Sequence, residues 1–127
     1  MTQLISVVAY DSGHDVTARA TGAITAGRLV TVASTLVGGN IAVKSATAGS
    51  PVFGVSRATV GTGELVPITR GASRIVRLIA GTGGVAFNAE VESDANGAVV
   101  TATTGAAVGR AVSSAAAAGE VLVSLYA

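Results

Sequence analysis

The chain has 127 residues and a mass of 12.2 kDa, the size of a single domain. Half of the residues are hydrophobic, but aromatics amount to two Phe and two Tyr, so a core must be built from small and β-branched side chains. With no Cys, one His and a net charge of +1, the composition excludes disulfide scaffolds, thiolate metal sites and two-histidine metal motifs, and it lacks the basic excess of a nucleic-acid binder.

Residues 1–20 differ from the remainder of the chain. They carry Asp11, His14, Asp15 and Arg19, Gly13 interrupts them, and alternation ends after Tyr10. This segment is expected to form an N-terminal arm, with a β-rich domain over 21–127. The start of the chain has no basic region ahead of an apolar run, so no targeting signal is read there. Its longest uncharged stretch, Leu29 to Val43, is too short and too rich in Thr, Ser and Gly to span a bilayer.

Strand signals then dominate. Arg28–Ala33 is β-branched after a turn at Ala26-Gly27, and Ile41–Lys44 follows Gly38-Gly39-Asn40, where positive φ is tolerated. Further strands are expected at Val52–Val55, Glu64–Ile68, Arg74–Ile79, Ala98–Thr101 and Glu120–Leu125. Turns at Gly61-Thr62-Gly63, Gly81–Gly84 and Asp94–Gly97 divide them. Short strands at this spacing predict an all-β fold, a compact small sandwich or barrel. At most one short helix is expected, over Val112–Ala118, capped by Ser113 or Ser114 and ended by Gly119.

The chain also echoes itself. A shift of 56 residues pairs Val43 with Val99, Ala46 with Ala102, Thr47 with Thr103 and Gly49 with Gly105. It also pairs Val52 with Val108, Gly63 with Gly119 and Glu64 with Glu120. Two similar β units in one body would produce this pattern; coincidence in a narrow alphabet would be the alternative.

Chemistry-bearing groupings are few. Asp11, Ser12, His14 and Asp15 are catalytic residue types, but a triad needs side chains converging from separate segments beside an oxyanion hole. Glu90, Glu92 and Asp94 alternate as a solvated strand face would, without the oxygen-ligand spacing of a calcium loop. The glycine-rich stretches lack the following Lys-Ser/Thr and helix of a phosphate cradle. The reading is of a protein that is not an enzyme, with no cofactor, no metal and no small-molecule substrate. Arg70, Arg74 and Arg77, with Arg57 upstream, form the densest basic stretch, and seven Arg against one Lys suits planar contacts to carboxylates at an interface. Only 12% of residues are charged, about half of the ~25% usual in soluble domains, which fits a surface partly covered by partners.

Two segments carry a resemblance. Val52-Phe53-Gly54-Val55-Ser56-Arg57-Ala58 through Gly63-Glu64-Leu65-Val66, and Ala107-Val108-Gly109-Arg110-Ala111-Val112 through Gly119-Glu120-Val121-Leu122-Val123-Ser124-Leu125, share one signature. It runs Val-Gly-x-Ala, an Ala-rich loop, Gly-Glu and an apolar strand, and it resembles that of small capsid decoration (cement) proteins of tailed bacteriophages. Ile24–Val30 has the same style. The resemblance implies a β-rich structural virion protein, a homotrimer made in the host cytoplasm. It would bind the major capsid protein on the outside of an expanded icosahedral head and stabilise that head against packaged DNA, without binding nucleic acid or membrane. Contacts to capsid or sister subunits are then expected from Thr2, Gln3, Leu4, Ile5, Tyr10, Asp11, His14 and Asp15 in the arm, and from Arg70, Arg74 and Arg77. A β-rich receptor- or carbohydrate-binding module of a phage tail or cell surface is the alternative; the absence of Trp weighs against it, since sugar rings pack on flat aromatic faces.

Overall fold

A computed structural model describes residues 15–72 and 74–127. Ten strands form among them: β1 Val16–Ala20, β2 Leu29–Val37, β3 Asn40–Ser45, β4 Gly54–Ser56, β5 Leu65–Thr69, β6 Ile75–Ile79, β7 Glu90–Ser93, β8 Val99–Thr101, β9 Gly109–Ala111 and β10 Glu120–Leu125. Alternation explains them locally. β1 buries Val16, Ala18 and Ala20 and turns Thr17 outward, and β10 buries Val121, Val123 and Leu125.

The first five strands close into a barrel of order β1-β3-β2-β4-β5, in which β1 runs parallel to β3 and antiparallel to β5. The last five form a sheet of order β6-β10-β9-β7-β8, and a single parallel bridge from Ala80 to Val99 brings the end of β6 to β8, so that this sheet curls into a barrel-like unit, barrel two, closed by that bridge rather than by a full ladder. This is the same connectivity with each strand replaced by the one five places later. The registers agree pair for pair. Ala18 faces Val66 as Leu78 faces Val121, Val30 faces Ser45 as Val91 faces Thr101, and Ser56 faces Ile68 as Ala111 faces Val123. Turn hydrogen bonds repeat as well. The Ala26 N–H donates to Thr59 Oγ1 at 3.1 Å, and the Phe87 N–H donates to Ser114 Oγ at 2.9 Å.

The internal echo is thus a duplication in the structure, with a variable spacing. Equivalent residues lie 60 apart in the first strand (Ala20, Ala80), 56 in the third (Val43, Val99) and 55 in the last (Val66, Val121). The sequence pairings of Val52, Gly63 and Glu64 are consequently one residue out. Their partners are Ala107, Ala118 and Gly119, since a residue is lost from the loop after β8 relative to the loop after β3.

Both interiors use the same seven positions. Barrel one is filled by Ala18, Ala20, Ile24, Val30, Val43, Val66 and Ile68, and barrel two by Leu78, Ala80, Val85, Val91, Val99, Val121 and Val123. Such small side chains suit barrels this narrow, where a larger residue would overfill the interior. The shared glycines Gly54 and Gly109 have a similar cause: a Cβ on either would run into the carbonyl of Thr69 or Ser124, respectively.

Two expectations change. The predicted helix over 112–118 does not form: Ala115 makes an antiparallel bridge with Val85, and Ala118 takes a left-handed conformation. The barrel's pairing demands outweigh the helix propensity of four alanines. Residues 16–20, expected in the arm, are strand β1 and close barrel one; they pair on both sides, so they belong to the body.

Candidate interaction surfaces

The barrels are joined head to tail. Leu29 and Val30 are consecutive and both fully buried, Val30 inside barrel one and Leu29 outside it, in the cluster that also holds barrel two's core. Leu29, Ala46 and Val55 form a shoulder on barrel one, and the β7–β8 hairpin of barrel two rests against it. The Leu29 N–H donates to the Gly97 C=O at 2.8 Å, and the Gly49 N–H donates to the Ser93 C=O at 2.9 Å. A Cβ on Gly49 would lie 3.1 Å from Gly105 Cα, so the two loops need glycine to approach this closely. The equivalent shoulder on barrel two consists of Glu90, Ala102 and Arg110; Glu90 and Arg110 are exposed.

The free hairpin is also distinctive. Ten residues separate Val32 from its partner Val43, whereas five separate Ser93 from Val99. The longer β2–β3 hairpin turns at Gly38 and Gly39, with φ of 59° and 80°, as the sequence predicted. It exposes Val32, Leu36 and Val37, with Leu36 61% accessible. Isolated exposed apolar residues are ordinary, but three on one projecting hairpin make a patch.

At the start of β1, Asp15 gathers two arginines and a threonine hydroxyl from three segments. Arg57 forms an ion pair with its Oδ2, the Thr69 hydroxyl donates to Oδ1 at 3.0 Å, and Arg74 Nη1 lies 3.6 Å from Oδ1. The hydrogen bond from Arg57, chiefly, holds the Asp15 carboxyl below its usual value, helped by Thr69 and by the charges of Arg57 and Arg74. Arg70 stacks on Phe53, 4.2 Å from the ring centroid. Arg70 and Arg74 sit in the connection between β5 and β6. Arg77 stands apart, exposed on β6. Thr2, Gln3, Leu4, Ile5, Tyr10, Asp11 and His14 lie outside the described residues. Arg57 belongs to this cluster more closely than Arg77 does, and only the pairing of β1 with β5 reveals it.

Barrel two is apolar at the corresponding place. Ile75 takes the position of Asp15 and Val112 that of Arg57, and Phe87 takes that of Ala26; the three are 60%, 48% and 72% exposed. The tandem units thus share a backbone and differ in what they present.

The acidic triplet is not one solvated face. Glu90 is exposed and accepts the Tyr126 hydroxyl at 2.7 Å, which raises that phenol above its usual value. Asp94 caps its hairpin, its Oδ1 accepting from the Asn96 and Ala98 N–H groups at 2.8 and 2.9 Å. Glu92 is buried and accepts from the Thr103 N–H and hydroxyl, both at 2.9 Å. Those bonds, with one from the Gly105 N–H, hold its carboxyl below the usual value. Glu92 fastens the 103–105 loop beside the joint between the barrels, a structural use that alternation alone could not reveal. Among the described residues, no three His, Cys, Asp or Glu side chains gather where they could hold a metal ion.

No family model matches the chain, and no curated protein matches it. Among solved structures it is similar to the N base of the head fiber protein gp8.5 of bacteriophage phi29, with a TM-score of 0.74 and 20% identity. The match covers 87% of this chain and 92% of that one, so this chain shares its fold with that N base over most of both chains.

Proposed function

We propose that this chain is a structural protein of a phage virion, binding the outer surface of the expanded icosahedral head as a homotrimer and stabilising it against the pressure of packaged DNA. The observation that carries this reading is the shared fold with a phage head fiber base over nearly the full chain. The partner is the major capsid protein, and the protein acts by binding, without catalysis. Binding the expanded lattice alone stabilises that lattice by mass action, and a symmetric trimer engages it three times over.

The head-to-tail packing of the barrels supports self-association, because such contacts leave unlike faces open that another copy can meet. Contacts to capsid or sister subunits are assigned to the arm residues up to Asp15 and to Arg70, Arg74 and Arg77, since guanidinium groups suit carboxylates at an interface. Co-sedimentation with expanded heads and with unexpanded shells tests the reading. Saturable binding to expanded heads alone is expected; no binding to either would overturn it in favour of a receptor- or carbohydrate-binding module.

A further inference from the structure

Within one chain, the joint between barrels consumes one hairpin and one shoulder. The hairpin is β7–β8 of barrel two, and the shoulder is Leu29, Ala46 and Val55 of barrel one. Duplication makes two of each, so one hairpin is left over, together with the part of the second shoulder around Glu90, Ala102 and Arg110; Gly105, the counterpart of Gly49, is already engaged by Glu92 and by Gly49 itself. They are the β2–β3 hairpin of barrel one and the Glu90, Ala102 and Arg110 shoulder of barrel two. A heterologous contact always leaves such a complementary pair at its two ends.

We propose that the β2–β3 hairpin of one copy docks on the Glu90, Ala102 and Arg110 shoulder of a second copy, repeating between chains the joint already present within each. This inference rests on the homotrimer proposed above and names its contact. The occupant of the exposed hairpin is identified by precedent: its equivalent in the same chain sits on a surface of the same descent. Val32 takes the place of Ser93, which is buried at the internal joint, yet Val32 is itself 50% exposed. The five additional residues carry Leu36 and Val37 beyond the point where the internal hairpin ends, lengthening its reach over a neighbour.

The open shoulder is built to receive it in a more polar form. Tyr126 holds Glu90, and Arg110 Nη1 donates to the Asn88 C=O at 2.7 Å, so both charged side chains are fixed at the rim of Ala102. Lys44, exposed on β3, brings a cation to a shoulder whose acid is Glu90. The internal joint has Leu29 and Val55 at the two charged positions, so the joint between copies is the weaker and more salt-dependent of the two.

The test uses the full chain in analytical ultracentrifugation, with circular dichroism melts as a fold control. Leu36→Asp with Val37→Asp blocks the hairpin, and Ala102→Arg blocks the shoulder. Each variant alone is expected to be monomeric at concentrations at least tenfold above those at which the wild type assembles. An equimolar mixture is expected to form a dimer and nothing larger, because it retains one intact hairpin and one intact shoulder. If either melt collapses, Leu36→Ser with Val37→Thr, or Thr101→Arg on the same shoulder, replaces the variant concerned. A trimeric wild type whose folded variants remain trimeric overturns the joint and leaves the trimer standing. A folded mixture that stays monomeric also overturns it, and a monomeric wild type overturns trimer and joint together.

Discussion

Ala118 occupies in barrel two the place that Gly63 occupies in barrel one, and both are left-handed, with φ of 65° and 85°. Their N–H groups make the same turn bond: Gly63 donates to the Ala20 C=O at 2.7 Å and Ala118 to the Ala80 C=O at 2.8 Å. Asn88 stands likewise at the position of Gly27, with φ of 67° against 76°. The backbone path has been kept while two glycines of one unit are matched by side chains in the other. Asn tolerates this conformation, but Ala has no side-chain bond to compensate.

Ala118→Gly is therefore expected to stabilise the protein. Relief of the left-handed strain is worth about 1–2 kcal/mol, and the added freedom of glycine in the unfolded chain offsets about 0.5–1 kcal/mol of it. A net gain of roughly 0.5–1 kcal/mol should appear as a higher denaturation midpoint at unchanged slope. The reverse change, Gly63→Ala, should lower the midpoint.

The joint between barrels makes a second prediction. Leu29 is fully buried in a cluster that continues through barrel two, so the two units should unfold in one transition. Leu29→Ala is expected to cost about 2–5 kcal/mol, the range for emptying a buried leucine site. Leu29→Asp should uncouple the barrels, giving two transitions in calorimetry. A single transition with the wild-type midpoint in Leu29→Asp would show that the joint contributes nothing.

Acid should act through Asp15. Its carboxyl is held below its unfolded value of about 3.9 by Arg57, Thr69 and Arg74, so its contribution is complete above about pH 4. It is lost as pH falls through the lower, folded-state value. The pair is partly exposed, which limits the effect to about 0.5–1 kcal/mol. Urea midpoints of wild type and Asp15→Asn, measured from pH 6 to pH 2.5, should differ at the upper end and converge at the lower.

Much of the fold could be read from the chain. β-branched runs between turns located β2 to β6, β8 and β10 but not β1, β7 or β9, whose short segments carry Arg, Glu or Gly and are held by their neighbours; Gly38-Gly39-Asn40 and Asp94–Gly97 marked hairpin turns because few other residues adopt positive φ there. The echo around Val43 and Val99 pointed to two similar units with coincidence as the alternative; the strand registers decided for duplication, and the residue lost after Gly49 explains why identities at one fixed shift were sparse. The run of alanines misled, because helix propensity is a local preference and Ala115 is held by a bridge from Val85, 30 residues earlier.

The interaction surfaces were less legible. Arg57 joins Asp15 only because β1 lies against β5, and β5 against β4, bringing distant residues to one corner. Glu92 looks like any alternating acid until the 103–105 loop folds over it. Leu29 and Glu90 are equivalent in backbone and opposite in environment, one sealed under a hairpin and the other open.

Periodicity, turn chemistry and side-chain volume act over a few residues at a time, so the chain announces an all-β body of short strands with a small-residue core before it folds. That this body is two such units joined head to tail, and which hairpin and shoulder remain open, emerges only on folding. Burial of an outward face depends on what packs against it, and that is a property of the folded chain rather than of any segment.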